Sequence, residues 1–347
     1  MQVVLLFEYT GYSLNFKMAM GGLSPMTTAP QIVVPEGLCH ILSLDGGGAK
    51  GFYTLGVLAQ IEAMLKKPLC EHFNLIFGTS TGAIIAALLS LGYKVADIHT
   101  LYKQHVPTVM KNSTAGGRTS ALDKLVADVF GDKDFSHVRT HVGIVATHWN
   151  LEKPMIFKTS HDQAHGRKDT FIPGFGCKIG EAVRASCSAY PYFDRFKLTT
   201  GQGVDVELFD GGYCANNPTL YAVADAVKAF HKGYADLRVV SLGVGDYPEP
   251  KQWITPKYMV AWLAKACLGF TGLQLLQKTL NVNTTSMEQL RIILFNEIQA
   301  VRINDTFTQP EMATDLLEDD LEKLKLLYQR GWESFAAHEK ALKALLA

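Results

Sequence analysis

The sequence lacks an excess of charge of either sign. Its 347 residues include 33 Lys and Arg against 33 Asp and Glu, so no net field would attract the chain to nucleic acid or to an anionic bilayer. We therefore expect no nucleic-acid partner, and any contact with a membrane must be local. Apolar residues make up 48% of the chain and charged residues 19%, which excludes a disordered or fibrous protein.

Cysteine pairs and long apolar segments are also missing. The six cysteines form no C-x-x-C pair and no short disulfide-framework spacing, which favours reduced thiols in a cytoplasmic protein. The apolar stretches reach about 10 to 15 residues, short of the roughly 20 that a bilayer-spanning helix needs. The opening MQVVLLFEYTGYSLNF has no basic segment of the kind that begins a secretory signal. We expect a cytoplasmic protein that acts peripherally on membrane.

Two strand–turn–helix units follow each other near the start of the chain. The first has a strand at 40–44, the turn DGGGAKG and a helix at 52–65; the second has a strand at 73–77, the turn GTSTG and a helix at 83–93. Successive units of this kind predict a parallel sheet in an α/β fold. At least five or six strands are expected, because further strand patterns lie at 141–149, 154–160, 204–209 and 237–245.

The composition divides the chain into three parts. We expect an N-terminal extension without function at 1–37, an α/β domain at 38–250 and a helical region at 251–347 that packs on it. The polar stretch KNSTAGGRTS (111–120) predicts a flexible loop suited to an active-site flap. Thr119 or Ser120 is the expected cap of the helix that follows it.

Residues 78–82, Gly-Thr-Ser-Thr-Gly, match the G-x-S-x-G nucleophile elbow between a buried strand and an apolar helix. The flanking Gly78 and Gly82 would let the chain bend sharply enough to lift the Ser80 hydroxyl above the sheet. The N-terminus of the next helix would add a positive dipole near a developing oxyanion. The alternative is a tight turn that matches the motif by chance.

The turn DGGGAKG allows two interpretations. It satisfies G-x-G-x-x-G, but a dinucleotide site also needs an acidic residue at the end of the second strand, and none stands there. A Walker A loop is excluded because Gly51 follows Lys50 where Ser or Thr is required. Otherwise the backbone N–H groups form an oxyanion hole for Ser80, aided by the Lys50 charge. The candidate oxyanion residues are Gly46, Gly47, Gly48, Ala49, Lys50 and Gly51.

Asp210 is the candidate base for the serine. It follows a predicted strand and precedes Gly211 and Gly212, so its carboxylate would point across the strand ends toward Ser80. The alternative is an ordinary Asp-Gly turn. His231 and His338 stand in helical segments rather than strand-end loops, and we expect them on the surface.

The three motifs, in the order DGGGAKG, GTSTG and DGG, resemble those of the patatin-like phospholipases. The resemblance covers roughly residues 40–250 and includes the segment ASCSAYPYF (185–193); Lys50 stands where many members carry arginine, so a bidentate role for it is in doubt. It implies a three-layer α/β fold with a mostly parallel central sheet flanked by helices. It also implies a Ser80–Asp210 dyad that works without histidine, cofactor or metal, and therefore in the presence of a chelator.

The same resemblance implies the substrate. Such a dyad cleaves fatty acyl esters of membrane glycerophospholipids through an acyl-enzyme. Tyr190, Tyr192 and Phe193 would line a groove for the acyl chain, or else they are ordinary core aromatics. An aspartate is a weak base, so the site must be partly desolvated to raise its basicity.

Within the family, the chain resembles the bacterial effectors of antiviral signalling, which degrade membrane phospholipid when a cyclic dinucleotide binds. Its compact size, long helical tail and lack of a signal sequence are the similar features. For this chain they imply a cyclic dinucleotide activator and a homo-oligomer. The alternatives are a constitutive housekeeping lipase, a nucleotide-binding protein that uses the glycine loop, and a catalytically silent lipid-binding relative.

Overall fold

The computed structural model describes residues 32, 34, 36–165, 170–248 and 270–347. These residues belong to one compact unit, Ile32–Ala347. The predicted N-terminal extension lies almost wholly outside them, as does the first part of the predicted helical region, up to residue 269. None of the helices described is long and apolar enough to cross a membrane.

Eight strands form one mixed sheet, in which β3, β2, β1, β7 and β8 lie side by side and parallel. The central strands are buried on both faces, which is why their sequences are almost continuously apolar. The strands are β1 (Cys39–Leu44), β2 (Leu75–Thr79), β3 (His141–His148), β4 (Lys153–Lys158), β5 (Phe196–Thr199), β6 (Asp205–Asp210), β7 (Leu237–Leu242) and β8 (Gln299–Ile303).

The antiparallel strands meet at β3. Residues 143–148 of β3 pair with β4 along one edge. On the opposite edge, residues 141–145 pair with β2 and residues 146–148 pair with β6. Because β2 runs parallel and β6 antiparallel to β3, these two strands approach each other end to end on a shared edge. Their carboxyl ends therefore meet.

Helices cover both faces of the sheet. Alternate residues of β1 enter two apolar layers: Leu42 and Leu44 pack in one layer, and Cys39 and Ile41 in the other. The predicted α/β fold of three layers is thus confirmed, with its parallel part confined to five strands. The helices are α1 (Gly51–Leu65), α2 (Thr81–Ser90), α3 (Val95–Met110), α4 (Ala115–Phe130), α5 (Ile179–Ser186), α6 (Gly212–Ala215), α7 (Thr219–Lys228), α8 (Phe270–Leu294) and α9 (Leu321–Leu346).

The prediction of a flexible loop and active-site flap at 111–120 is wrong, because α4 already begins at Ala115. Its N-cap is Thr114, whose Oγ accepts the Gly117 N–H at 3.1 Å, and not Thr119 or Ser120. The early start is stabilised by tertiary contacts: the buried Arg118 donates to the Tyr192 carbonyl at 3.1 Å. The Gly-Gly pair therefore lies within the first turn of a helix instead of opening a loop.

Strands β5 and β8 were not predicted from the sequence. β8 lies within the segment expected to be helical, and it extends the sheet by pairing with β7 in parallel. Its burial is uneven, with only Ile303 fully buried among its five residues. A short edge strand of this kind has no strong alternation of its own, so its pairing partner determines its conformation.

Candidate active site

Ser80 occupies a strained turn between β2 and α2. Its φ of 53° and ψ of −121° lie in a region that residues with side chains rarely adopt. The turn is tight because glycines flank it: a Cβ on Gly78 would collide with the Gly82 carbonyl, and one on Gly82 with the Leu44 carbonyl. The serine side chain therefore stands at the N-terminus of α2, at the carboxyl edge of the sheet.

Asp210, the last residue of β6, lies against this serine. Ser80 Oγ donates to Asp210 Oδ2 at 2.7 Å, and the Gly212 N–H donates to Asp210 Oδ1 at 2.7 Å. The carboxyl group is 2% exposed. Burial raises the pKa of Asp210 to about 6, against the opposing effect of the hydrogen bonds from Gly212 and Ser80. The group is therefore a stronger base than an exposed aspartate, while remaining mostly ionised at neutral pH.

Ser186, at the end of α5, fixes the backbone of the turn. Its Oγ accepts the Ser80 N–H at 2.9 Å and donates to the Val145 carbonyl at 2.5 Å. This hydroxyl is fully buried and links the serine turn to β3. This role was not predicted from the sequence, because nothing in the local pattern distinguishes Ser186 from its neighbour Ser188.

The glycine-rich loop after β1 presents two free amides. The N–H of Gly46 donates to the Asn216 carbonyl at 3.0 Å, and the N–H groups of Ala49, Lys50 and Gly51 donate to other carbonyls of the chain. The N–H groups of Gly47 and Gly48 have no acceptor among the described residues. Both glycines line the cavity that contains Ser80. Of the six candidate oxyanion residues, these two are the ones whose amide has no acceptor in the part of the chain that the structure describes.

An ion pair holds the start of this loop. Arg302, on β8, contacts both carboxylate oxygens of Asp45, at 2.9 and 2.5 Å, and also donates to Ser241 Oγ at 2.8 Å. Burial raises the pKa of Asp45, and the Arg302 charge opposes this rise. The pair spans 257 residues of sequence, so sequence spacing gave no sign of it.

The Lys50 side chain does not line the cavity beside Ser80. It lines a second, polar cavity, and its Nζ lies 6.0 Å from the centroid of the Tyr247 ring. The expected contribution of the Lys50 charge to an oxyanion hole therefore has no direct geometric support. Asn216, Leu280, Leu316 and Gly47 line both cavities.

The cavity beside Ser80 is apolar and has an empty volume of about 730 Å³. Tyr192 and Phe193 line it as expected of an acyl groove, whereas Tyr190 does not: it is 40% exposed and packs on Trp149. Aliphatic side chains from four helices complete the wall. They are Ile84 of α2; Val106, Val109 and Met110 of α3; Leu122 and Leu125 of α4; and Leu276 and Leu280 of α8.

No histidine is among the residues that line this cavity in the described part of the chain. His231 is exposed in the segment that follows α7, and His338 bonds to the Ser334 carbonyl within α9. Ser80 thus has a carboxylate as its direct hydrogen-bond partner. Over the described ranges, no group of three or more His, Cys, Asp or Glu side chains could hold a metal ion.

The fold and the site place the chain among the serine hydrolases that act on lipid esters. Residues 42–223, more than half of the chain, match the family model described as patatin-like phospholipase. The chain belongs to the patatin-like phospholipase family.

Individual relatives agree with this assignment. The chain is 58% identical over 311 residues to a cUMP-AMP-activated phospholipase from Escherichia coli, covering 90% of this chain and 95% of that protein. It is 26% identical over 217 residues to a cGAMP-activated phospholipase from Pseudomonas aeruginosa, 59% of this chain and 62% of the other. It is 25% identical over 265 residues to patatin-like protein 2 of Arabidopsis thaliana, covering 65% and 64%.

Proposed function

We propose that the protein cleaves fatty acyl esters of membrane glycerophospholipids, with Ser80 as nucleophile and Asp210 as its base. The observation that carries this assignment is the 2.7 Å hydrogen bond from Ser80 Oγ to a buried carboxylate, at the mouth of an apolar cavity. A nucleophile needs an adjacent proton acceptor. The cavity offers an acyl chain the apolar surroundings it requires.

The reaction proceeds in two steps. Asp210 takes the proton of Ser80 Oγ as the oxygen attacks the ester carbonyl, and it returns that proton to the leaving lysophospholipid alkoxide, which leaves an acyl-serine. Asp210 then takes a proton from water, whose oxygen attacks the acyl carbon. Ser80 Oγ recovers a proton as it departs, and the products are a free fatty acid and the unchanged dyad.

The oxyanion of each tetrahedral intermediate is assigned to the Gly47 and Gly48 amides. These are the loop amides without an acceptor among the described residues, and they line the cavity of Ser80. Preorganised amide donors stabilise charge that develops in the transition state. Gly48 has a φ of 59°, and a Cβ there would collide with the Leu316 carbonyl, so the close approach requires glycine.

We infer that the enzyme is activated by a cyclic dinucleotide and acts peripherally on membrane from the cytoplasm, as an oligomeric effector of antiphage defence. Support comes from the relative named cUMP-AMP-activated phospholipase, which is 58% identical to this chain and covered over 95% of its length. Identity at that level, over almost the whole relative, favours a shared mode of control over a constitutive lipase.

The test is release of free fatty acid from mixed phospholipid vesicles, with and without a panel of cyclic dinucleotides. Wild type should release fatty acid, most strongly with one nucleotide. Ser80→Ala and Asp210→Asn should each reduce the rate of fatty acid release by about 10²- to 10⁴-fold. The exposed Ser136→Ala, remote from the cavity, is the matched control and should behave as wild type.

A fluorophosphonate probe separates chemistry from regulation. It should label wild type at Ser80 and leave Ser80→Ala unlabelled. Full activity in Ser80→Ala would contradict the assignment of the nucleophile. Labelling without any response to nucleotide would support the hydrolase but contradict the proposed activation.

A further inference from the structure

The second cavity is polar, and its walls come from six parts of the fold. Its empty volume is about 400 Å³. The glycine loop forms one side and α8 another. Residues after β7 and β8 also contribute, and Asn216 and Leu316 complete the lining. Its polar side chains include Lys50, Asn281, Thr285, Asp246 and Asn304. The reaction proposed above does not use this cavity.

Lys50 presents an unpartnered cation to the cavity. The residue is 3% exposed, and its ammonium forms no ion pair or hydrogen bond with any of the residues that the structure describes. Burial lowers the pKa of Lys50, and the charges of Asp246 and Asp315 oppose this. A hydrogen bond from a charged group is stronger than one between neutral groups, so an acceptor from a ligand in this cavity would stabilise the Lys50 ammonium.

The balance of charge favours a neutral ligand group over a phosphate. The Asp45 carboxylate is already bound by Arg302 at both oxygens. Asp246 is exposed and accepts from Asn304 Nδ2 at 3.0 Å, so its charge would repel a phosphate placed beside Lys50. The remaining polar groups on the α8 wall, Asn281 and Thr285, are a neutral amide and a hydroxyl. Such groups match the carbonyl and N–H edge of a nucleobase.

The cavity is joined mechanically to the active site. Asn216 Nδ2 donates to Thr284 Oγ at 2.7 Å on α8 and to the Gly46 carbonyl at 3.3 Å on the glycine loop. Asn283 binds the same segment, accepting the Asn216 N–H at 2.8 Å. A ligand held between α8 and the loop would therefore stabilise the loop conformation in which Gly47 lines the cavity of Ser80.

We propose that this polar cavity binds a nucleobase of the activating cyclic dinucleotide. Lys50 donates to a base carbonyl, Asn281 and Thr285 bind the base edge from α8, and occupancy fixes the oxyanion loop. The inference rests on the nucleotide activation proposed above. It adds the location of the site and the chemistry of recognition.

The experiment titrates the full-length protein with the cyclic UMP–AMP dinucleotide by isothermal titration calorimetry. Asn281→Leu and Thr285→Val remove the hydrogen-bonding groups with little change of volume, and both residues are exposed on α8 and make no side-chain hydrogen bond with the described residues. Each should raise Kd by about tenfold. Thr279→Val is the matched control, because Thr279 lies on the same helix outside both cavities.

Fatty acid release from the vesicles is measured on the same variants. Asn281→Leu and Thr285→Val should need about tenfold more dinucleotide for half-maximal activation, and should reach the wild-type rate at saturation. Inorganic phosphate should not compete with the dinucleotide. Competition by phosphate alone would overturn the assignment of a nucleobase to this cavity.

Different results would contradict the proposed hydrolase function and the assignment of the nucleotide site. If wild type binds the dinucleotide and is activated by it, but both variants bind equally well, the site lies elsewhere and the proposed function stands. If binding is lost in the variants while wild type neither hydrolyses vesicles nor reacts with fluorophosphonate, the cavity assignment stands and the hydrolase does not. Absence of binding by wild type overturns the inference.

Discussion

Ser80 and Asp210 lie 130 residues apart in sequence and 2.7 Å apart in space, because their strands meet end to end along one edge of β3. Thr79, the last residue of β2, pairs with Val145, and Asp210 pairs with the next residue, Ala146. The register of β3 therefore sets the distance between the two side chains.

Hydrolysis should depend on the ionisation of Asp210. Burial raises its pKa to about 6, and only the ionised carboxylate can accept the Ser80 proton. We expect kcat/KM to be constant above about pH 7 and to fall about tenfold per unit below pH 6. A neutral soluble ester is the substrate, so that vesicle charge does not titrate, and circular dichroism verifies folding at each pH. A flat profile between pH 5 and 7 would exclude Asp210 as the base.

The same burial should make the ionised Asp210 destabilising. Its pKa in the folded protein lies above the ordinary aspartate value of 3.8, so its stabilising contribution is present at low pH and is lost as the pH rises through about 6. Asp210→Asn should therefore melt a few °C above wild type at pH 8, and this difference in melting temperature should become smaller toward pH 4. Asp128→Asn, at an exposed position of α4, is the control. An equal difference in melting temperature at both pH values would contradict the prediction.

Ser186→Ala should slow the reaction without weakening substrate binding. The substitution removes the acceptor of the Ser80 N–H and lets the strained turn relax, which displaces the nucleophile. We expect kcat to fall about 10- to 100-fold with little change in KM. Ser188→Ala, at a buried serine that bonds within the Arg184 segment, should cost similar stability. An equal loss of kcat in both variants would mean that Ser186 has no positioning role.

Arg302→Met should destabilise the protein by ~3–5 kcal/mol, because it leaves the Asp45 carboxylate buried without its partner. Arg302→Lys retains the charge but loses the bidentate contact, so it should recover only part of the loss. Urea unfolding measures both. Adding Asp45→Asn to Arg302→Met removes the orphaned charge and should restore stability. If the double variant is no more stable than Arg302→Met, the ion pair is not the cause.

The sequence was most informative where a short segment carries the whole signal. Steric demands within five residues specify the elbow 78–82, and strand–turn–helix patterning gave the first unit of the sheet to within about one residue and the second to within about three. The glycine loop and the Asp-Gly-Gly turn were likewise recognisable in place. These features depend on backbone conformation and apolar periodicity, which neighbouring residues determine.

Where local patterns were weak, distant contacts decided the outcome. The Gly-Gly pair at 116–117 favoured a loop, but Thr114 and the buried Arg118 hold it in α4. The Lys50 charge was expected beside the oxyanion, whereas in the folded protein Lys50 lines a separate polar cavity. In the first case contacts with another segment outweighed local preference, and in the second the tertiary fold decided which cavity Lys50 lines.

What the sequence by itself determined is the class of fold, the strained serine turn and the identity of the residues proposed for the dyad. Only the tertiary structure decided that β6 ends against β2, that Arg302 binds Asp45 across 257 residues, and that α8 helps enclose both cavities. The reason is physical: dihedral and periodicity signals act over a few residues, whereas strand order and buried ion pairs arise when distant segments pack together.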